Sequence, residues 1–517
     1  MSLCPLHEKA IVLMPEDDVA LARADIPSRT TLEYRGGMIL VRETIKGGHK
    51  FALREIPRSA PVRKYGQIIG FATQKIRPGD HVHIHNLEAG SFARDHDFAT
   101  EVKPPVAGQA AKTRTFLGFQ RADGRVGTRN CIAVISTCNC SASVTRRIAR
   151  HFRVGGLEAF PNVDSVFPVC HHSGCGMPMG GEDHERLQLI LAGFATHPNI
   201  AGYLLVGLGC EMNQASSLVE AKGLTCPNLP LFQHPPIVNI QDTGGTQKAV
   251  EKGVKIVLEM LPHANEARRT PQPVSSICLA TQCGGSDADS GITANPALGL
   301  AADELVRCGG TVILGETAEL YGAEHLLTRR ARDEGVGRRL LERIRWWETY
   351  TRLFHSELDN NLSPGNKKGG LTTIYEKSLG AVAKGGNTPL NAVYLYGERV
   401  AEKGLVMMDT PSHDPTSVTG MVAGGANVVV FTTGRGSVFG FKPAPVIKVA
   451  SNSRLYRKMI GDMDINAGVV LEGEPIGSVG REIFERIIAV ASGERTKSEL
   501  QGLGEEEFVP WILGPMQ

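Results

Sequence analysis

From about residue 114 onward, six short apolar runs alternate with longer helix-like stretches. The runs are "CIAVIST" (131–137), "DSVFPV" (164–169), "GYLLVGL" (202–208), "SICLAT" (276–281), "TVILG" (311–315) and "VVVFTTG" (428–434). Helix candidates fall at 143–153, 183–194, 246–261 and 324–354. A strand that is apolar throughout needs cover on both faces, and intervening helices supply it. The pattern predicts an α/β architecture with mainly parallel sheet.

Residues 1–90 have another texture. "GGMILVRETI", "KFALREI" and "HVHIHN" alternate or carry β-branched residues, and "GGHK" and "RPGD" are turn chemistry. They predict a small β-rich module. Residues 91–113 carry a Pro-Pro pair and little periodicity, as a linker does. "EARRTPQPVSS" (266–276) marks a second boundary. The expected organisation is a module at 1–90, a linker at 91–113, an α/β domain at 114–268 and a C-terminal α/β domain at 269–517.

Within the module, "DHVHIHN" places His81, His83 and His85 at every second position. On a strand, Val82 and Ile84 would face the core and the imidazoles the other side. Adjacent imidazoles would lie roughly 6.6 Å apart and the outer pair about 13 Å. Two neighbours could share one ion; all three could not. The stretch alone reads as the solvated face of a half-buried hairpin strand; the rest of the chain turns the reading toward a functional face.

Four strand candidates each deliver a thiol to the loop at their carboxyl end. These are Cys138 and Cys140, then Cys170 and Cys175 beside His171 and His172, then Cys210 beside Glu211, then Cys283 beside Asp287. That edge is where open α/β sheets bind ligands, and several thiols there suit iron or an iron–sulfur cluster. Other loops carry Glu316 and Glu319, Lys367 and Lys368, and Arg435. Lysine, arginine and free backbone N–H groups suit a carboxylate or phosphate.

Composition narrows the field. Lys plus Arg is 56 and Asp plus Glu is 54, a net charge of +2, which argues against nucleic-acid and membrane-surface partners. No apolar run approaches the ~20 residues of a membrane span, and "MSLCPLHEKAIVLMPEDD" lacks a secretory pattern. The expectation is a cytoplasmic protein whose eleven cysteines are thiols, ligands or core residues. A Walker loop, a strand–GxGxxG–helix unit and a GxSxG elbow are all missing, so nucleotide binding and serine hydrolysis lack support.

The motifs "GHKFAL", "KYGQIIG", "HVHIHN", "RADGRVGTRN", "HPNIAGYLLVGLGCE", "QCGGSDADSGITANPALG", "GETAELYGAEHLL", "SPGNKKGG", "EKSLG", "TTGRG" and "DMDINAG" run the length of the chain. In this order they resemble the altronate and galactarate dehydratases, enzymes of sugar acids with an N-terminal module called an SAF domain. "HVHIHN" and "YGAEHLL" are similar to the altronate branch, "GNKKGG" and "DMDINAG" to the galactarate branch. "STCNCSAS" and "CHHSGCGMPMGG" carry Cys and His beyond either pattern. A related sulfolactate-cleaving enzyme divides module and body between two subunits, so their fusion here argues mildly against that chemistry.

The resemblance implies an iron-dependent lyase that takes water from a hydroxy acid, with Fe2+ or a cluster as cofactor. It implies Cys140, Cys175, Cys210 and Cys283 as metal ligands. His49, His83, His85, His171 and Glu316 are the candidate catalytic groups, and Lys367, Arg435 and Asp287 the candidate substrate holders. Iron would polarise hydroxyl or carboxylate oxygens, a base would take the C2 proton and an acid would assist the leaving hydroxyl. The alternatives are a lyase of another small hydroxy acid such as sulfolactate, and a sugar-acid binding protein without catalysis. "IRWWETYTRLF" (344–354) offers enough aromatic surface for a homo-oligomer contact.

Overall fold

The structure is a computed structural model that describes residues 3–90, 96–103, 114–153 and 155–513. All six apolar runs form strands. In the second domain the order is Ser165–Val169, Cys131–Ser136, Ile200–Gly207, Ile237–Asn239, all parallel. In the C-terminal domain seven parallel strands run Leu390–Tyr394, Gly404–Met408, Thr311–Leu314, Cys278–Cys283, Val428–Thr433, Val446–Ala450, Ile465–Asn466. Cys131–Ser136 and Ile200–Gly207 are buried at every position because helices cover both faces.

Chain order places Cys278–Cys283 at the switch point. The next strands build outward on one side of it, and Val428–Thr433 returns on the other. The crevice beyond the carboxyl end of such a strand is the natural ligand position of this sheet type.

Arg269–Pro273 pairs antiparallel with Thr115–Gln120, so the chain leaving the second domain closes back on its start. The linker residues 91–95 and 104–113 lie outside the described residues. Residues 96–101 lie against the C-terminal domain, where the N–H groups of Ala99 and Glu101 donate to the carbonyls of Thr328 (3.1 Å) and Arg329 (2.8 Å). The helix expected at 324–354 divides into His325–Thr328 and Glu334–Leu353. The Asp333 carboxylate accepts from the Val336 N–H and caps the second helix, which fixes its start.

The N-terminal module consists of small sheets joined by turns. Val19–Ala22, Lys50–Ala52 and His81–Val82 form adjacent antiparallel strands, which places Phe51 beside His81 and Lys50 beside Val82. Among the described residues, no helix is long and apolar enough to cross a membrane.

Candidate active site

Four imidazoles converge on the N-terminal module. Ring centroids lie 5.1 Å apart for His49–His81, 5.0 Å for His49–His83, 5.2 Å for His81–His83 and 5.5 Å for His81–His85. The expected strand stops at Val82. The His83 N–H donates to Asn86 Oδ1 (2.9 Å), and the Asn86 and Leu87 N–H groups both donate to the His83 carbonyl (3.0 Å each). Asn86 thus turns the chain at 83–86.

The turn corrects the alternation argument twice. Ile84 is 51 % exposed instead of facing the core. His81 and His85, which an extended strand would hold about 13 Å apart, instead become close neighbours. Donor atoms of His81, His85 and Glu43 all lie within 4.8 Å of one another, and among the described residues this is the one His/Cys/Asp/Glu group with that spacing.

Burial, then the neighbouring His49, His83 and His85, pushes His81 down to about 3. Burial, followed by Lys50 and His49, pushes His83 down to about 4, and His49 is lowered mainly by burial. These three rings are neutral at physiological pH. His83 Nδ1 is buried with no hydrogen-bond partner.

The imidazole face lies on the seam with the C-terminal domain. His49 Nε2 is 3.3 Å from the Lys368 carbonyl. The Lys50 ammonium donates to the Gly370 carbonyl (2.7 Å) and Glu376 (2.8 Å), and Lys64 donates to the other Glu376 oxygen (2.9 Å). The Asp289 carboxyl faces Gly48, with its oxygens 3.7 and 3.8 Å from where a Cβ would stand. Burial and then the Asp287 charge push Asp289 up to about 8, so it is a protonated acid at neutral pH.

Behind this seam lie the strand ends of the large sheet. Glu316 is fully buried with φ 64°, a left-handed conformation costly for a residue with a Cβ. It pairs with the buried Lys384 and accepts from Gln282 Nε2 (2.8 Å) and the Cys283 N–H (3.1 Å). Burial raises Glu316 to about 8 against the pull of Lys384. Lys377 pairs with Glu319 at 2.8 Å beside them. Backbone strain around a buried acid–base pair is an arrangement that functional sites maintain.

Several expected residues have other roles. His171 is buried in the second domain, with Nδ1 on Ser173 Oγ (3.0 Å) and Nε2 on the Ser136 carbonyl (3.0 Å). Both ring nitrogens are thus engaged within the second domain. Asp287 is saturated by the Ser290 N–H (2.9 Å), Ser290 Oγ (2.8 Å), Ser451 Oγ (2.8 Å) and Asn452 Nδ2 (3.0 Å). It ties strand-end loops together. Lys367 is half-buried and Arg435 exposed, and both stay available for an anion.

The four cysteines expected to share iron are not one set. Cys283 is buried in the C-terminal domain, 2.7 Å from Ser286 Oγ. Cys140, Cys175 and Cys210 are exposed on the second domain, where the thiol neighbours of Cys140 are Cys138 and Cys175. All eleven cysteines are free thiols.

Sequence reasoning missed Glu43, Asp289, Glu376 and Lys384. Glu376 and Lys377 had a visible signal, being charges within the otherwise apolar helix Ile374–Val382. Glu43 had none. A cleft of about 930 Å3 between the second and C-terminal domains, bordered by Arg121, Lys222, Arg399 and Lys403, contains none of these site residues.

Three consecutive family profiles match the chain. Residues 8–90 match the altronate/galactarate dehydratase SAF domain, 118–265 the D-galactarate dehydratase/altronate hydrolase second domain, and 274–516 the D-galactarate/altronate dehydratase C-terminal domain. The chain belongs to the galactarate/altronate dehydratase family. It is 35 % identical over 494 residues to the altronate dehydratase of Bacillus subtilis (strain 168), covering 95 % of this chain and 96 % of that one. It is 37 % identical over 492 residues to the galactarate dehydratase (L-threo-forming) of Escherichia coli (strain K12), covering 94 % of each. The (2R)-sulfolactate sulfo-lyase subunit beta of Chromohalobacter salexigens is 31 % identical over 405 residues, covering 77 % of this chain and 97 % of its own. In this family member, the SAF module supplies the imidazole face and the C-terminal domain supplies Asp289 and the Lys367–Lys368 loop.

Proposed function

We propose that this chain is a cytoplasmic hydro-lyase that converts an altronate- or galactarate-like sugar acid to its 2-keto-3-deoxy acid. The supporting observation is the seam itself. His49 of the SAF module meets the Lys368 carbonyl, which brings a neutral imidazole face to the loop carrying Lys367. Free thiols throughout suit a reducing compartment.

The C2–H bond and the C3–O bond break, and a C2=C3 bond forms. The resulting enol tautomerises to the keto acid. Lys367 and Arg435 hold the carboxylate, where a forked guanidinium fixes orientation. A neutral imidazole of the module takes the C2 proton, and His83 is the candidate because its buried Nδ1 has no protein partner. Asp289, protonated at neutral pH, gives its proton to the departing hydroxide, which leaves as water. Iron belongs to this reading as the Lewis acid that polarises substrate oxygens. The four expected thiols do not fit a single ion, since Cys283 is buried in a different domain from the other three.

The sulfolactate alternative has less support, because that relative's beta subunit is 31 % identical, against 35 % and 37 % over nearly the whole chain for the two dehydratases. The test is turnover. The protein, purified without oxygen and supplied with Fe2+, is offered altronate, galactarate, related aldonates and sulfolactate, with a chelator control. A 2-keto-3-deoxy acid from one sugar acid, stopped by the chelator, is the expected result. Sulfite release from sulfolactate, or binding of a sugar acid without turnover, would overturn it.

A further inference from the structure

We propose that Glu43, His81 and His85 form a divalent-metal site on the SAF module, and that this site holds the iron of the lyase reading. The inference rests on that reading for what the metal does, and on geometry alone for where it sits.

The donor set comes first. Glu43, His81 and His85 each offer one ligand atom, and the three atoms lie within 4.8 Å of one another. Three donors so spaced can touch one ion, because metal–nitrogen and metal–oxygen bonds run to roughly 2.0–2.2 Å. Two imidazoles and one carboxylate on one face of the ion are the usual donor set of non-haem Fe2+, and they leave the opposite face open. Glu43 and His85 are exposed, so that open face is accessible to a substrate.

The hydrogen-bond chain behind His81 points the same way. The Lys368 carbonyl can only accept, so at 3.3 Å the His49 Nε2 carries a hydrogen and donates it. His49 Nδ1 in turn lies 3.0 Å from His81 Nε2, so one ring nitrogen of His81 is held by this contact and Nδ1 is the one left for a ligand role. Metal-binding histidines are commonly oriented in this way by a partner on the other ring nitrogen. Here the last acceptor belongs to the C-terminal domain, so docking of the module helps orient a ligand.

The turn at Asn86 completes the site. It brings His85 back beside His81, which the extended strand could not do. His49, which touches His81, sits at the seam where Asp289 and the Lys367–Lys368 loop lie.

The experiment is a titration of the full chain, stripped by chelator and kept without oxygen, with Co2+ as a coloured probe and Fe2+ as the physiological candidate. Bound metal is counted by atomic emission, and ligand type is read from the cobalt spectrum. Wild type is expected to take one Co2+ per chain with visible bands and no sulfur-to-cobalt charge transfer. Glu43→Gln and His85→Asn are each expected to weaken binding by at least about 10–100-fold, the range already seen when a mere supporting residue is lost. The triple variant Cys140→Ser, Cys175→Ser, Cys210→Ser is expected to bind as wild type does. Circular dichroism of each variant checks the fold. A sulfur charge-transfer band, unchanged binding in Glu43→Gln and His85→Asn, or no stoichiometric metal in wild type would each overturn the proposal. The two readings fail separately. Metal held here without turnover of any sugar acid would sink the lyase and keep the site. Turnover by a fully metallated His85→Asn protein would sink the site and keep the lyase.

Discussion

Lys50 of the SAF module and Glu376 of the C-terminal domain meet at 2.8 Å with neither side chain exposed. Lys64, also buried, takes the second carboxylate oxygen at 2.9 Å. The same carboxylate accepts from the Thr372 N–H (3.0 Å) and hydroxyl (2.7 Å). One carboxylate thus fastens the module that carries the histidines to the domain that carries the strand-end loops.

Replacing Glu376 by Gln strands two buried ammoniums without a counter-charge. Removing one member of a buried ion pair costs about 3–5 kcal/mol. The expected outcome is an early unfolding transition for the module in denaturant, with loss of activity even at saturating metal. A single unfolding curve that overlays wild type would contradict this account of the seam.

The pH dependence follows from the same carboxylate. Burial opposes its charge, but Lys50 and Lys64 outweigh burial and hold Glu376 far below its ordinary 4.5. A folded value below the unfolded one means that the stabilisation is full above pH 4.5 and is lost as pH falls from there through the folded value. The stability gap between wild type and Glu376→Gln should therefore be constant from pH 7 to pH 5 and narrow below pH 4.5. Urea unfolding at stepped pH measures it, and a gap that widens in acid would refute the sign.

Asp289→Asn should leave the fold intact, because among the described residues no hydrogen bond to this carboxyl is broken, and should lower kcat by about 10²–10⁴-fold, the usual contribution of a positioned acid or base. In wild type, kcat should fall as pH rises through about 8, where Asp289 loses its proton. The variant should lack that alkaline limb. A variant that keeps the limb assigns it to another group.

Thiol labelling separates the cysteines. Cys140, Cys175 and Cys210 are exposed, whereas Cys283 is buried with its thiol raised by that burial. Brief alkylation of the native protein at pH 8 should modify the first three and spare Cys283, as read by peptide mass spectrometry. Equal labelling of Cys283 would mean that the strand-end site opens in solution.

Some of this was legible in the residues. The six apolar runs became strands because side chains buried on both faces must be apolar throughout, and that requirement is written locally. Four strands of the large sheet, Leu390–Tyr394, Gly404–Met408, Ile465–Asn466 and Val446–Ala450, were overlooked. Lys448 interrupts the last, and Asn391 and Tyr394 give the first a mixed pattern. The helix Ile374–Val382 announced Glu376 by placing a charge among apolar neighbours, although nothing local named its partners.

The sequence by itself determined the α/β class, the three-part order and the thiols at strand ends, since periodicity and strand polarity are properties of short segments. Only the tertiary structure decided which groups meet. Asn86 turned an alternating strand into a cluster of rings, Glu43 joined it from a segment nearly 40 residues away in number, and Cys283 parted from the other thiols. Such meetings depend on how separate segments pack, and distance along the chain carries no record of that packing.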